Sequence, residues 1–272
     1  MKKVSVFVKL GGSYITDKDK QETLIDERVT TAARMMKEAL VRAAKRDEQI
    51  SLVLGHGAGS FGHIHAERYG AVEGVHPELG WEGLYKIRDA MTRMNLKFVR
   101  HCGEAGLFPV TVSPFAVATA KNGEVVRLDV HNLLELLGQG QIPLLHGDVV
   151  PDSKRGFTIA STESLLTGLI ENHIRFNRVV MVADTEGVLD KDGATVEEIT
   201  PFNIGEVSKF LGGSGSPDVT GGMQRKIETL FSLVVLGKVG EARIIRAVDR
   251  PENLIDAILG TGGGGTHISA SV

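Results

Sequence analysis

Val4-Ser5-Val6-Phe7-Val8-Lys9-Leu10-Gly11-Gly12-Ser13 opens the chain as a β-branched and aromatic run that stops on paired glycines. An unbroken apolar run of this kind fits a strand covered on both faces, so a central place in a parallel sheet is expected for it. A second apolar strand, 51–54, leads into a denser loop, Gly55-His56-Gly57-Ala58-Gly59-Ser60-Phe61-Gly62-His63. Glycine lets backbone N–H groups approach an anion closely, and each loop follows a strand end where such a ligand would lie. One loop is led by a lysine and the other is closed by a histidine. Two such cradles suit an enzyme that must hold a donor and an acceptor phosphate.

Outward from these loops the pattern alternates. Residues 23–45 place Val29, Ala32, Ala33, Met36, Leu40 and Ala43 at three- and four-residue spacing, which predicts an amphipathic helix laid on a sheet. Helices are expected from about Gly57, through Trp81, Leu84, Met91 and Phe98, and at 130–137, 161–171 and 251–258, with another beginning near Gly222. Strands are expected at 107–112, 142–146, 179–182, 242–245 and 265–268. Strand and helix taking turns predicts βαβ units and a mostly parallel sheet. Residues 147–160 read as a projecting hairpin, while 212–221 read either as a mobile flap or as a surface linker.

Composition narrows the function. At 272 residues, 42% hydrophobic, the chain is long enough for one domain with a sizeable core. A net charge of −3, from 31 basic and 34 acidic residues without long blocks, offers no polybasic stripe for nucleic acid. No apolar run approaches the roughly 20 residues that span a bilayer, and the start has no leader-like cleavage site, so no membrane partner and a cytoplasmic location are expected. The single cysteine, Cys102, lies in a helical stretch and is expected to be a small buried thiol.

The candidate site residues follow from their settings. Lys9 sets a cation beside Gly11 and Gly12, and Ser13 adds a hydroxyl. In the second loop, glycine backbone at a helix start combines unpaired N–H groups with the positive end of the helix dipole. His63 stands where an imidazole can donate to a phosphate, whereas His56 is expected to be an ordinary core or solvated residue and His65 a surface one. Asp184 follows a strand end, where ligands of open α/β sheets lie, although capping a turn explains it equally. Lys226 sits in the first turn of a helix, electrostatically unfavourable unless an anion is near. Lys18 is a further cation in a polar loop.

Lys-x-Gly-Gly-Ser at 9–13, Ala-Asp-Thr-Glu-Gly-Val at 183–188 and Thr-Gly-Gly-Met-x-x-Lys at 220–226 together resemble the amino acid kinase superfamily, and the match runs from residue 4 to the last strand. Within it, the loop at 55–63, Ser-Tyr-Ile-Thr-Asp-Lys at 13–18 and His-Gly-Asp-Val-Val at 146–150 resemble the isopentenyl phosphate kinase family. The resemblance implies a three-layer αβα sandwich with a mostly parallel central sheet, one domain over 1–272, with an acceptor lobe at about 1–175 and a nucleotide lobe at about 176–272. It implies ATP with Mg²⁺ carried on the nucleotide, isopentenyl phosphate as acceptor, no metal ligands of the chain's own, and a homodimer. It assigns His63, Lys9, Lys18 and Lys226 to catalysis. Lys9, Gly11, Gly12, Ser13, Gly59, Asp184, Gly222 and Lys226 would meet ATP; Gly57, Ala58, His63 and Gly156 would meet the acceptor.

One departure stands out. The family's Ser-Gly-Asp after the hairpin is Ser161-Thr162-Glu163 here, which keeps a carboxylate but removes a glycine. Other readings remain: a kinase of the same fold acting on a phosphonate such as fosfomycin, a carboxylate, a carbamate or a nucleoside monophosphate, or a nucleotide-binding module without turnover.

Overall fold

The computed structural model describes residues 1–211 and 222–271. The expectation of a flap or linker at 212–221 therefore lies outside the described residues. Along the chain run β1 (Lys2–Leu10), α1 (Gly12–Ile15), α2 (Asp26–Ala44), β2 (Glu48–His56), α3 (Gly59–Arg68), α4 (Glu82–Glu104), β3 (Pro109–Thr111), α5 (Pro114–Val117), β4 (Ala118–Lys121), β5 (Glu124–Leu128) and α6 (His131–Gly138). There follow β6 (Ile142–His146), β7 (Asp148–Asp152), β8 (Gly156–Ala160), α7 (Thr162–Glu171), β9 (Phe176–Ala183), β10 (Glu198–Ile199), α8 (Ile204–Leu211), α9 (Gly222–Val235), β11 (Val239–Arg246), α10 (Glu252–Leu259) and β12 (Thr266–Ile268).

Contacts gather these elements into two groups: Met1–Val8 with Glu38–Ile50 and Arg175–Val272, and Lys9–Lys37 with Ser51–Ile174. In the first, the strand order is β10-β12-β11-β9-β1, with β9 and β11 parallel and β12 antiparallel to β11. The apolar run of β1 is buried as its composition demands, and Phe7 meets Phe176 edge-on at 5.6 Å between ring centres. In the second, β2, β6 and β3 are parallel neighbours, His56 standing opposite His146. A separate four-stranded sheet has the order β5-β4-β7-β8. These pairings give the mixed α/β, mostly parallel architecture that the alternation predicts. Along α2 the inner positions are Val29, Ala32, Ala33, Met36, Ala39 and Ala43, while Leu40 is only half-buried.

The β7–β8 hairpin lies where 147–160 predicted it. Its companion β4–β5 falls in a stretch to which the periodicity assigned nothing. Its turn is Asn122-Gly123, with φ of 55° and 90°, the left-handed pair that a tight two-residue hairpin requires. One side chain ties the two turns together. Asp152, nearly buried, accepts the backbone N–H groups of Asn122 (3.0 Å), Gly123 (2.7 Å), Lys154 (2.7 Å) and Arg155 (3.0 Å). Burial alone would raise its pKa, but the four bonds to the charged form outweigh it and hold the carboxyl at about 2.

Asp152→Ala strands those four donors and is expected to lower the unfolding free energy by about 3 kcal/mol in urea titration. A carboxylate depressed in the fold stabilises above its unfolded pKa of about 4 and loses that contribution as pH falls. The gap between the wild type and Asp152→Ala should therefore close between about pH 4 and pH 2; a gap constant with pH would show that the carboxylate charge is not what holds the turns.

Candidate active site

Leu10 ends β1 and His56 ends β2, and the loops that follow interlock through bare backbone. A Cβ on Gly57 would lie 2.6 Å from the Gly12 nitrogen, and one on Gly12 would collide with the Gly59 nitrogen. Gly59, at φ 49°, would drive a Cβ into Thr16. The junction is then pinned by hydrogen bonds: Gly57 N donates to Leu10 O (2.9 Å), Thr16 Oγ1 donates to Gly12 O (2.7 Å), and Ser60 N donates to Thr16 Oγ1 (3.0 Å). The N–H groups of Gly12, Ser13, Ala58 and Gly59 have no acceptor among the described residues. Four such donors on two touching loops are groups of the kind that can hold an anion.

Lys9 is 6% exposed, and its Nζ donates to Glu163 Oε1 at 2.6 Å. Glu163 occupies the first turn of α7, a helix capped by Ser161, whose Oγ accepts from Ser164 N (3.0 Å). Thr162 is buried and its hydroxyl donates to His56 O at 2.7 Å. The Ser161-Thr162-Glu163 departure is thus accommodated in the backbone. The longer acid still reaches the lysine, and the threonine that replaces glycine ties α7 to the end of β2.

His63 stands on α3 four residues beyond Gly59, hence on the same helix face one turn on, and is exposed. Lys18 is exposed in the segment after α1. That segment is clasped at its far end by Glu22, whose carboxylate meets His65 Nε2 at 2.7 Å and the guanidinium of Arg93. Arg93, first, and then His65 hold the Glu22 carboxyl down at about 2 against the opposing effect of burial. His65 is therefore a partly buried clasp residue rather than the surface residue its polar setting suggested. Asp17 N donates to Thr23 O (3.0 Å) and Glu22 N to Ser60 O (3.4 Å), closing the segment's base.

Gly156 begins β8 at φ 81°, where a Cβ would come within 2.6 Å of Val75 and 2.9 Å of the Trp81 ring. Close packing and backbone geometry alone account for that glycine. In the other contact group, Asp184 is half-buried just past β9, Gly222 is the first residue of α9, and Lys226 lies half-buried one turn along it. Thr220 and Gly221 lie outside the described residues.

Near the loops, Arg88 escaped the sequence reading, and Asp148 and His146 entered it only as members of the quoted His-Gly-Asp-Val-Val motif, with no role assigned. Arg88 of α4 pairs with Asp148 and donates to Ser113 Oγ (3.0 Å); burial nevertheless pushes the Asp148 carboxyl up to about 6. His146, also buried, is pushed down to about 3, chiefly by desolvation. Cys102 is buried, which pushes its thiol up to about 12 and keeps it inert. No group of three or more His, Cys, Asp or Glu side chains is placed to hold a metal ion among the described residues. Two recesses, of about 600 and 580 Å³, lie elsewhere, lined respectively by Arg178, Glu241 and His267 and by Arg127, His131 and Leu134; neither contains a lysine or a glycine loop.

A buried lysine steadied by an acid, beside glycine loops with unpaired N–H groups, belongs to a phosphate-handling kinase, and the chain belongs to the amino acid kinase family, which it matches over residues 5–246. More narrowly, it is similar to isopentenyl phosphate kinases. It is 36% identical to that of Haloferax volcanii over 84% of this chain and 88% of the relative, and 32% identical to that of Methanothermobacter thermautotrophicus over 97% and 98%. A solved structure of an isopentenyl phosphate kinase superposes with a TM-score of 0.76 at 27% identity, covering 97% of this chain and all of the other.

Glu163→Gln leaves Lys9 facing a neutral amide in a nearly dry setting and is expected to lower the unfolding free energy by about 2 kcal/mol. A loss below about 0.5 kcal/mol in denaturant titration would show that the pair does not anchor the first loop.

Proposed function

We propose that this chain is an ATP-dependent kinase that converts isopentenyl phosphate to isopentenyl diphosphate. The observation that carries the reading is the pair of interlocked loops, with four N–H groups turned to no acceptor among the described residues, Lys9 at one end and His63 one helical turn beyond the other. The similarity to isopentenyl phosphate kinases along most of the chain supports the choice of acceptor. Acceptor contacts fall in the portion up to about residue 175 and nucleotide contacts in the portion from about 176, apart from the first loop.

A terminal oxygen of the acceptor phosphate attacks the γ-phosphorus of ATP in line, the new P–O bond forms as the β–γ bridging bond breaks, and ADP leaves with the bridging oxygen. A phosphate monoester has a second pKa of roughly 6, so the nucleophile is already ionised near neutrality and needs no general base. What the protein supplies is alignment and cancellation of charge. His63, Gly57 and Ala58 hold the acceptor phosphate; Lys9, Gly11, Gly12, Ser13 and Gly59 steady the group in transfer, with Lys18 offsetting repulsion between the two anions. Asp184, Gly222 and Lys226 meet the nucleotide, and Gly156 shapes the hairpin on the acceptor side. Mg²⁺, carried on the nucleotide, would supply further positive charge against that of the phosphates. The family resemblance further supports a homodimer working in the cytoplasm, which sedimentation and fractionation test.

A module without turnover drew its support from Thr162 and Glu163, and the contact of Glu163 with Lys9 speaks against it. Kinases of the same fold that act on phosphonates, carboxylates or nucleoside monophosphates are separated by assay. Steady ADP release is expected with isopentenyl phosphate and not with fosfomycin, glutamate or UMP. His63→Ala should lower kcat/KM for isopentenyl phosphate by about tenfold or more and spare the KM for ATP; unchanged turnover removes His63 from the acceptor site. Lys226→Ala should raise the KM for ATP or slow transfer by about tenfold, and unaltered kinetics would remove it from the nucleotide site.

A further inference from the structure

His56 and His146 face each other at the ends of parallel strands β2 and β6, and a glycine follows each. Their rings stack at 5.2 Å with planes 11° apart, and the His56 ring also lies 4.6 Å from that of Phe98. Both are buried, and in each the Nδ1 atom is 3.0 Å from the carbonyl oxygen of the following glycine, Gly57 or Gly147. A carbonyl only accepts, so each Nδ1 carries the proton.

Burial, reinforced by the nearby Lys9 charge, favours the neutral form of His56. A neutral ring has one N–H, and with Nδ1 donating, Nε2 must accept. Nε2 lies 3.2 Å from Asn95 Oδ1, and Asn95 Nδ2 lies 2.9 Å from Thr111 Oγ1. Two acceptors cannot bond, so the Nδ1–H tautomer calls for that carboxamide turned by a half-turn, with its NH2 toward Nε2 and its oxygen toward the Thr111 hydroxyl. The result is a one-way chain of hydrogen bonds from Thr111 through Asn95 and His56 to the Gly57 carbonyl.

In a trans peptide the N–H points opposite to the C=O. With the Gly57 carbonyl drawn inward to the ring, the N–H of Ala58 is turned outward, and it has no acceptor among the described residues. Glycine alone would let that peptide swing and show its carbonyl to an anion. We propose that His56, held by Asn95 and Thr111 and stacked on His146, is a positioning residue that locks the Gly57–Ala58 peptide with the Ala58 N–H presented to the acceptor phosphate. This rests on the acceptor site assigned above.

Two replacements of His56 separate orientation from mere packing. Asn places an amide N–H near the Nδ1 position, whereas Phe keeps an aromatic plane beside His146 and Phe98 and donates nothing. His56→Phe should raise the KM for isopentenyl phosphate about tenfold, with kcat and the KM for ATP changed less than about threefold; His56→Asn should recover most of the loss. Asn95→Ala, which leaves the ring in place, should produce a smaller rise of the same kind. Equal KM values for wild type and His56→Phe, equal losses in the Phe and Asn variants, or an equal rise in the KM for ATP would overturn the proposal. A second readout does not depend on turnover: the Ala58 amide resonance on titration with inorganic phosphate. A shift in the wild type and His56→Asn but not in His56→Phe upholds the device even if the wild type fails to turn over isopentenyl phosphate, an outcome that would sink the acceptor assignment alone. Equal shifts in all three proteins overturn the device itself.

Discussion

Backbone pressed against backbone at Gly12, Gly57 and Gly59 is the constraint on which the site depends. Two strands end where their following loops touch with no room for a single methyl between them. That contact fixes the separation of the two cradles more rigidly than side chains would, because peptide planes have no rotamers to exchange. It also explains why the motifs are so rich in glycine. Only Gly59 among these three needs a left-handed backbone; the others are required for space.

Around this junction the buried polar groups form a supporting shell. Lys9 is steadied by Glu163, the end of β2 is tied to α7 through Thr162, and Thr16 links the first loop to Ser60. These bonds lie in surroundings of low water access, where a satisfied polar group adds stiffness and an unsatisfied one is costly. Where the resemblance implied Ser-Gly-Asp, the Thr162 hydroxyl finds an acceptor in His56 O and the Glu163 carboxylate reaches Lys9.

Much of this was legible beforehand, and the misses have identifiable causes. Apolar runs ending in glycine located β1, β2 and both loops, because a strand buried on both faces leaves an unmistakable composition. The β4–β5 hairpin went unread even though Asn122-Gly123 is a strong turn signal. Its strands carry Thr119, Lys121, Glu124 and Arg127, and their period-two pattern is weak beside the turn. His65 and Glu22 lie 43 positions apart, and Lys9 and Glu163 are separated by 154, so no local period could announce either pair. Asp184 past the end of β9 and Lys226 one turn into α9 stand where the strand and helix signals predicted them.

The clasp at Glu22 bears on the entropy cost of the anion contact proposed for Lys18. The stretch between Asp17 and Glu22 is cinched at its root, and its knot is a residue held at φ 49° by Ser60, His65 and Arg93. Lys18 is carried on the six-residue segment that these bonds close. The backbone that carries Lys18 is ordered during folding, so the phosphate contact proposed for that lysine leaves chiefly its side-chain freedom to be surrendered.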